Sequence, residues 1–473
     1  MGRYLTILFS DLERHSREWA RVPRERMVGI IAEYRYLAES LAGQYGCLYR
    51  EWAGDGHMIL FERADTATQF GLRLIESWTI GRKELPALRD SAPMSLRVGC
   101  HFGECTPLGE GEGWIGRANA VAKRVEGEAP PDALYATESV LDLLDLPLYE
   151  YEEAGLFALK GDFVSERRLY RIASFDQDAL EAKPDDELSA EEWFLRGAAL
   201  IATEQENSDE EARCYEEALR LRPDYPEAHV NLAIVLRAQG RQGEAAAHYQ
   251  EALRLRADYP EAHYNYGAML EARGSPAGAL EHYREALRLR PDYVEARHAL
   301  ANLLVGRAEP EPAADEYRET LRLRPNYPEA HSNYAILLES QGDVDGAAEH
   351  YREALRLRPD NPQGHYNYAL FLEATGALPE AERHYRRAIE LWPDYAEAHN
   401  NLAILLQLGG DLDAAEAHYR KALRLRPEDP EAHYNFGLLL RAQGDEEAAR
   451  SHFRTAFELA PEVPVFRSAL EGK

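Results

Sequence analysis

The sequence predicts an α+β domain followed by an all-α array of helix pairs. Within residues 1–174, short apolar runs typical of strands alternate with longer stretches of helical periodicity. From about residue 190, a pattern of His, Tyr and Pro recurs every 34 residues, which indicates a repeat architecture. A chain of 473 residues is also too long for one compact core, so separate structural units are expected.

The first domain is predicted from strand-like runs and the helical stretches between them. The runs lie at residues 5–9, 58–61 and 96–100, and the helical stretches lie at 24–44, 65–80, 117–128 and 136–144. Residues 175–189 are polar and contain Pro184. This composition favours a linker, although a short helix that docks the two parts is an alternative.

Residues 190–463 contain eight units that each predict a helix, a turn, a second helix and a stop. A unit reads Pro-Glu-Ala-His, an apolar helical face, Gln-Gly or Arg-Gly, a second face and Leu-Arg-Leu-Arg-Pro. The glycine ends the first helix because it accepts a left-handed conformation, and the proline cannot continue the second. The residues that recur at multiples of 34 are His229, His263, His331, His365, His399 and His433, then Tyr249, Tyr283, Tyr317, Tyr351, Tyr385 and Tyr419, and then Pro291, Pro325, Pro359, Pro393, Pro427 and Pro461.

These residues resemble the tetratricopeptide repeat (TPR), in which helix pairs stack into a superhelical solenoid. Gly267 and Ala252 are examples of the small residues that this repeat places where helices approach. The resemblance implies that residues 464–473 form a capping helix over the last repeat. The repeat histidines lie among helix-packing positions, which favours a structural role for them over a metal site.

The composition argues against several classes of function. Lys and Arg number 54 against 83 Asp and Glu, which gives a formal net charge of −29. Binding to phosphate backbones needs a basic face, so no nucleic-acid partner is expected. The four cysteines form no Cys-x-x-Cys pair, which favours reduced thiols and a cytoplasmic location. The apolar run at residues 4–9 is too short for a membrane span.

Two carboxylates follow strand-like runs in the first domain. Asp11 ends the first run, and Asp55 lies in the turn Gly54-Asp55-Gly56 between two others. If the hairpin pairs with the first strand, both can face one point, where hard oxygen ligands suit Mg²⁺ or Mn²⁺ with a phosphate substrate. From spacing alone, the alternative is that Asp55 is a turn residue and Asp11 a helix cap.

The ordered motifs resemble the catalytic domain of class III nucleotide cyclases. The resemblance spans residues 3–172 in the family's order. The sequence blocks that carry it are Phe-Ser-Asp-Leu-Glu-Arg-His-Ser at 9–16, Glu-Trp-Ala-Gly-Asp-Gly-His at 51–57, Leu-Arg-Val-Gly-Cys-His-Phe-Gly-Glu at 96–104, Gly-Arg-Ala-Asn-Ala-Val-Ala-Lys-Arg at 116–124, Pro-Asp-Ala-Leu-Tyr-Ala-Thr-Glu at 131–138, Leu-Lys-Gly at 159–161 and Leu-Tyr-Arg-Ile at 169–172.

The resemblance implies a ferredoxin-like sheet with helices on one face, and a homodimer in which two such domains pair head to tail around a shared site. One chain would supply the metal aspartates of a site, and the other would supply its base-recognising and transition-state residues. It implies that Asp11 and Asp55 hold two Mg²⁺ or Mn²⁺ ions, with the Leu12 carbonyl as a further ligand. Arg124 would meet the charge that develops on the α-phosphate, and Lys160 would contact the phosphates of ATP or GTP. The implied function is formation of a 3′,5′-cyclic nucleotide and pyrophosphate in intracellular signalling.

The sequence departs from the family pattern at the catalytic asparagine, and its base-recognition positions disagree with each other. An ungapped alignment puts Ala120 where the family has this asparagine, and Asn119 stands one residue early. Either a local register change makes Asn119 the catalytic amide, or that function is missing. Glu51 favours GTP because its carboxylate can accept from guanine N1 and N2 hydrogens, whereas Gly113 matches neither base preference. The choice between ATP and GTP therefore stays open. The alternative function is a weak or inactive cyclase-like nucleotide-binding domain on a TPR scaffold for protein assembly.

The array carries an asparagine two residues after most repeat histidines. A similar asparagine ladder in other TPR superhelices binds the backbone of an extended peptide, so the resemblance implies an unknown protein or peptide in the groove. The alternative is that these amides cap or bridge neighbouring helices. The candidate peptide-binding residues are Asn231, Asn265, Asn333, Asn367, Asn401 and Asn435.

Overall fold

The computed structural model describes residues 3–12, 24–53, 56–84, 95–107, 114–115, 117–159, 166–201 and 206–471. It confirms an α+β domain followed by a long array of helix pairs. The chain divides into two compact units, the first formed by residues 1–307 with 322–326 and the second by residues 308–321 with 327–473. The first unit therefore combines the N-terminal domain with the early part of the array.

The N-terminal domain is built on one mixed sheet. Its strand order is β2-β3-β1-β4-β6-β8-β7, with β5 paired to β4. The β4–β6 pair is parallel and the other pairs are antiparallel. The strands are β1 Arg3–Leu12, β2 Tyr49–Ala53, β3 Gly56–Phe61, β4 Leu96–Pro107, β5 Trp114–Ile115, β6 Ala133–Thr137, β7 Tyr149–Ala158 and β8 Glu166–Phe175.

The first four long strands form the ferredoxin-like core that the sequence predicted. The chain order is β1-α1-β2-β3-α2-β4, and the corresponding sheet order is β2-β3-β1-β4, which is the split βαβ arrangement. The helices of this domain are α1 Arg24–Gln44, α2 Ala64–Glu84, α3 Arg117–Glu128 and α4 Glu138–Leu141.

The helices lie on both faces of the sheet, which corrects the expectation of helices on one face. Leu8 and Leu12 of β1 pack in the same core as α1 and α2. Leu5 and Ile7 alternate with them and pack with α3 on the other face. Gly99 on β4 makes this possible, because a side chain there would collide with the backbone of α3.

A short helix, α5 Gln177–Ala182, lies in the segment predicted as a linker. The array helices follow as successive pairs and end with one short helix. They are α6 Ala190–Leu200, α7 Asp209–Leu221, α8 Pro226–Ala238, α9 Gln242–Leu255, α10 Pro260–Ala272, α11 Pro276–Leu289, α12 Val294–Gly306, α13 Pro310–Leu323, α14 Pro328–Ser340, α15 Val344–Leu357, α16 Pro362–Ala374, α17 Leu378–Leu391, α18 Ala396–Leu408, α19 Leu412–Leu425, α20 Pro430–Gln443, α21 Glu446–Leu459 and α22 Pro464–Glu471.

The repeat residues act as the sequence predicted. Gly240 and Gly410 end first helices at φ +79° and +86°, where an L side chain is strained. Gly267 lets the ring of buried Tyr283 pack directly on its helix, because a Cβ atom would lie 2.9 Å from that ring. Among the described residues, no helix combines the length and apolar character needed to cross a membrane.

Candidate functional site

Asp11 lies near the end of β1, beside the start of β3, the strand that follows the second motif aspartate in the sequence. In the sheet register, Asp11 stands opposite Gly56 on β3 and opposite Arg97 on β4. Gly56 directly follows Asp55 in the chain, although Asp55 itself lies outside the described residues. The strand pairing therefore places the end of β2 and the start of β3 at the same end of the sheet as Asp11.

Two cations and a second carboxylate surround Asp11. Its Oδ2 atom lies 3.8 Å from Nη2 of Arg97 and 3.7 Å from Nζ of Lys123. The same two cations pair with Glu126, at 3.3 Å from Arg97 and 2.9 Å from Lys123. Burial raises the pKa of Glu126, and the two cations partly offset this effect. We call these four residues the Asp11 cluster.

Sequence reasoning missed three members of the Asp11 cluster. Lys123 and Glu126 are three positions apart on α3, a spacing that brings side chains together on a helix. Arg97 lies within the motif that begins β4. The pairing of Lys123 with Glu126 on α3 was thus predictable from the sequence. The approach of Lys123 to Asp11 was not, because it depends on how α3 crosses the sheet.

Helix α3 presents its two predicted catalytic residues in different directions. Asn119 is half-buried and accepts a hydrogen bond from Sγ of Cys105 at 3.3 Å. Ala120 is exposed. Arg124 is five residues after Asn119, which on an α-helix turns its side chain away by about 140°. Within the described part of the chain, no hydrogen bond or ion pair holds Arg124. One chain therefore brings Lys123, and not Arg124, to Asp11.

The base-recognition candidate shares the Asp11 face of the sheet. Glu51 on β2 and Phe9 on β1 both stand opposite Met58 on β3. Asp11 is two residues after Phe9, so it points to the same face. Glu51 is exposed, and the hydroxyl of Tyr49 donates to its carboxylate at 3.4 Å.

Of the remaining predicted ligands, Leu12 is the one that lies within the described residues. Leu12 is the last residue of β1, and its side chain is buried. Gly113 and Lys160 lie outside the described residues. In the described ranges, no three His, Cys, Asp or Glu side chains form a metal-binding group. The Asp11 carboxylate suits a hard cation such as Mg²⁺ or Mn²⁺. A cation bound there would displace Lys123 and Arg97.

The candidate asparagines of the array differ in their surroundings. Asn231 is buried, and its amide donates to the hydroxyl of Tyr215 at 3.4 Å. Asn401 donates to Tyr366 in the preceding repeat at 3.2 Å. The other contacts are Asn435 to Asn400 at 3.4 Å, Asn265 to the Glu261 carbonyl at 2.9 Å, and Gln363 to Asn367 at 2.8 Å, while Asn333 also has an interaction partner. Several of these amides thus bridge helices, the alternative raised from the sequence.

A second histidine in the repeat, which the sequence reasoning missed, pairs with the first. His399 and His418 approach with their Nδ1 atoms 2.8 Å apart, and Nε2 of His399 lies 3.0 Å from the Pro393 carbonyl. The same pairing recurs at His229–His248, His263–His282, His331–His350, His365–His384 and His433–His452. The 34-residue period of the second histidine is visible in the sequence and could have revealed it.

Family models described as tetratricopeptide repeat or TPR repeat match the array. The matched residues are 214–247, 235–274, 260–303, 298–362, 361–428 and 400–464. No curated protein is significantly similar to the chain.

Solved structures similar to the chain fall into two groups. The adenylyl cyclase CyaB from P. aeruginosa is 20% identical, covers 37% of this chain and 95% of its own, and has a TM-score of 0.34. The guanylate cyclase domain of RhGC from Catenaria anguillulae is 20% identical over 36% of this chain and 97% of its own, with a TM-score of 0.32. YrrB, a TPR protein with an unusual peptide-binding site, is 21% identical over 40% and 96%, with a TM-score of 0.35.

Because these TM-scores are low, the architecture is assigned from strand order, helix pairing and the family models. The matched stretches together run from residue 214 to 464, which is more than half of the chain. Residues 214–464 therefore consist of tetratricopeptide repeats, and an N-terminal α+β domain precedes the array.

Proposed function

We propose that the N-terminal domain is a class III nucleotide cyclase that converts ATP or GTP to the 3′,5′-cyclic monophosphate and pyrophosphate. The observation that carries the proposal is the register of β1 and β3. It sets Asp11 opposite Gly56, the residue that follows Asp55 in the sequence. A ferredoxin-like core with the motif carboxylate at this strand end is the arrangement that the sequence resemblance implies.

Different residues of the chain would bind the metal ions, the base and the phosphates. Asp11, Asp55 and the Leu12 carbonyl would hold two Mg²⁺ or Mn²⁺ ions. When bound, such ions make the ribose 3′-hydroxyl more acidic and neutralise the triphosphate. Lys123 and Arg97 would release Asp11 and remain available to Glu126. Glu51 would accept hydrogen bonds from a guanine base, whereas Lys160 would contact the phosphates.

The base-recognising and transition-state residues of each site are proposed to come from a second copy of the chain. Arg124 stands apart from the Asp11 cluster of its own chain, so it is available to a partner. A guanidinium fixed at the α-phosphate would stabilise the charge that develops as pyrophosphate leaves. The proposal therefore includes a homodimer of N-terminal domains with two composite sites.

The array is proposed to bind a protein or peptide and to regulate or localise the cyclase. Its TPR architecture and the amides of its inner helices support this role. Asn333 and Asn367 belong to the second compact unit.

A second candidate function is nucleotide binding with little or no turnover. The observation that favours it is the position of the α3 amide. Asn119 bonds to Cys105, and exposed Ala120 occupies the position of the family's catalytic asparagine. A domain without that amide could still bind metal and nucleotide through Asp11 and Glu51.

The test is product formation by the purified full chain with ATP or GTP and Mn²⁺. Asp11→Asn and Asp55→Asn should each abolish cyclic product, because each removes a metal ligand. Asp186→Asn, at an exposed carboxylate outside the site, is the matched control. Turnover by Asp11→Asn equal to the control would refute the metal assignment. Nucleotide binding without product in the unmodified chain would favour the second candidate.

A further inference from the structure

The N-terminal domain contacts the early repeats within the first compact unit. The amide of Asn231 on α8 donates to the carbonyl of Gln44 at the end of α1, at 3.4 Å. Arg63 pairs with Glu191 on α6 at 2.6 Å. A candidate peptide-binding amide is therefore already bonded to the protein's own chain.

A buried network of four charges forms the centre of this contact. Glu39 on α1 lies 2.9 Å from Arg50 on β2 and 3.2 Å from Arg290, the residue after α11. Arg290 also lies 2.8 Å from Glu261 on α10, and Arg50 pairs with Glu261 as well. Two carboxylates and two guanidinium groups thus neutralise each other between the N-terminal domain and the third repeat.

The surroundings of Glu39 keep the network ionised. Burial by itself would raise the pKa of Glu39, but the charges of Arg50 and Arg290 hold it at about 2. The indole of Trp52 also donates to Glu39, at 2.7 Å. The ring of His57 stacks on the ring of Trp52, with their centroids 3.8 Å apart.

The later repeats show that the burial is caused by the N-terminal domain and not by the repeat itself. Arg358 and Glu329 occupy the same repeat positions as Arg290 and Glu261 and form the same ion pair, at 2.6 Å. The side chains of Arg290 and Glu261 are 8% and 7% exposed, whereas those of Arg358 and Glu329 are 48% and 42% exposed. One repeat pair has therefore become part of a docking surface.

Strand β2 connects this docking surface to the candidate nucleotide site. Arg50 and Trp52 point to the face that meets the network, and Glu51 between them points to the face that carries Asp11. A shift of Arg50 that follows its contact with the array would therefore also move Glu51, the next residue of the same strand.

We infer that the second and third repeats, which are the helix pairs α8–α9 and α10–α11, are a docking surface for the N-terminal domain of their own chain. We also infer that Arg290 and Glu261 position strand β2 for nucleotide recognition. The inference rests on the proposed function for its nucleotide part, whereas the docking itself does not. Arg290 and Glu261 are positioning residues, because they act through Arg50 and Glu39. Repeats 2 and 3 are then closed to an external peptide.

The test uses the full chain with Arg290→Met and with Glu261→Gln, and Arg358→Met and Glu329→Gln as matched controls. Arg290→Met and Glu261→Gln each remove one of the four charges and leave an uncompensated charge in the buried network, which loosens local structure. Amide hydrogen exchange of residues 49–61 should become about tenfold faster or more in these variants, and stay at the wild-type rate in the controls. Equal exchange in all five proteins would overturn the docking.

Binding of a fluorescent GTP or ATP analogue supplies the second readout. Arg290→Met and Glu261→Gln should weaken nucleotide binding by about fivefold or more. The control variants Arg358→Met and Glu329→Gln should bind the nucleotide as the unmodified chain does. Unchanged affinity together with faster exchange would overturn the positioning role and leave the docking supported. If the unmodified chain bound no nucleotide, the proposed function would fail, while the exchange result would still decide the docking.

A double variant that keeps the charges balanced distinguishes the effect of an unbalanced charge from general unfolding. Glu39→Gln with Arg290→Gln removes one charge of each sign and leaves Arg50 paired with Glu261. If exchange in Arg290→Met is fast because of an uncompensated charge, exchange at residues 49–61 should return toward the wild-type rate in the double variant. A double variant that exchanges as fast as Arg290→Met would contradict the proposed network.

Discussion

Asp11 and Arg97 face each other across the antiparallel strands β1 and β4, and Oδ2 of Asp11 lies 3.8 Å from Nη2 of Arg97. Lys123 approaches the same oxygen from α3 at 3.7 Å. A metal ion at Asp11 must therefore compete with two resident cations. Glu126 reduces that competition because it pairs with both of them.

Opposite changes in metal affinity are expected from two substitutions in the Asp11 cluster. Lys123→Gln removes a competing cation, so half-saturation should need about fivefold less Mn²⁺, which corresponds to roughly 1 kcal/mol for a partly exposed pair. Glu126→Gln releases both cations toward Asp11 and should raise the required Mn²⁺ concentration. Manganese titration of nucleotide binding in the two variants checks this. Shifts of the same sign would contradict the competition.

Acid is expected to destabilise the array through its histidine pairs. Nε2–H of His399 donates to the Pro393 carbonyl, so its Nδ1 accepts from Nδ1–H of His418. Burial and the partner imidazole lower the pKa of His384 and of His418 from 6.5 to about 4. The unfolded chain therefore binds more protons between pH 6.5 and 4, and stability falls as pH decreases through this range.

Thermal unfolding of the unmodified chain and of the double variant His384→Gln with His418→Gln measures this contribution. The midpoint of the unmodified chain should fall more steeply between pH 6.5 and 4 than that of the variant, since the variant has two fewer groups to protonate on unfolding. Equal pH slopes in the two proteins would show that the pairs do not control acid stability.

Ala308 is expected to be a site of backbone strain. It has φ +57°, at the repeat position where Gly342 and Gly376 have φ +81° and +82°. Ala308→Gly should therefore stabilise the protein by roughly 0.5–1 kcal/mol, because the strain relieved exceeds the entropy that glycine adds to the unfolded chain. The matched change Gly376→Ala should destabilise it by about 1 kcal/mol. Denaturant unfolding checks both, and a neutral or destabilising Ala308→Gly would contradict the assignment.

The fold was predictable where the signal is local. The run at residues 96–100 lies in β4, and the stretches 24–44 and 117–128 coincide with α1 and α3. The predicted helix at 136–144 is shorter, because the chain leaves β6 and forms one turn, Glu138–Leu141. Val140 lies in this turn and Leu144 follows it, and the side chains of both are buried.

The electrostatic contacts were not predictable, because they join distant parts of the chain. Arg290 and Glu39 are 251 residues apart in sequence, and nothing near either residue identifies its partner. The motif residues Asp11 and Arg124 were found from the resemblance, but their separation on one chain depends on how α3 crosses the sheet. Asp55, Gly113 and Lys160 remain predictions, since they lie outside the described residues.

Complementation between two inactive chains tests most directly the central claim that two copies build a shared cyclase site. Asp55→Ala lacks a metal ligand, and Arg124→Ala lacks the guanidinium proposed to act on the partner's nucleotide. Mixed in equal amounts and allowed to exchange subunits, they should regain about a quarter of wild-type cyclic-nucleotide formation, since half of the dimers would then contain one intact site of two. Mixed dimers demonstrated by mass spectrometry that form no cyclic product would contradict the account.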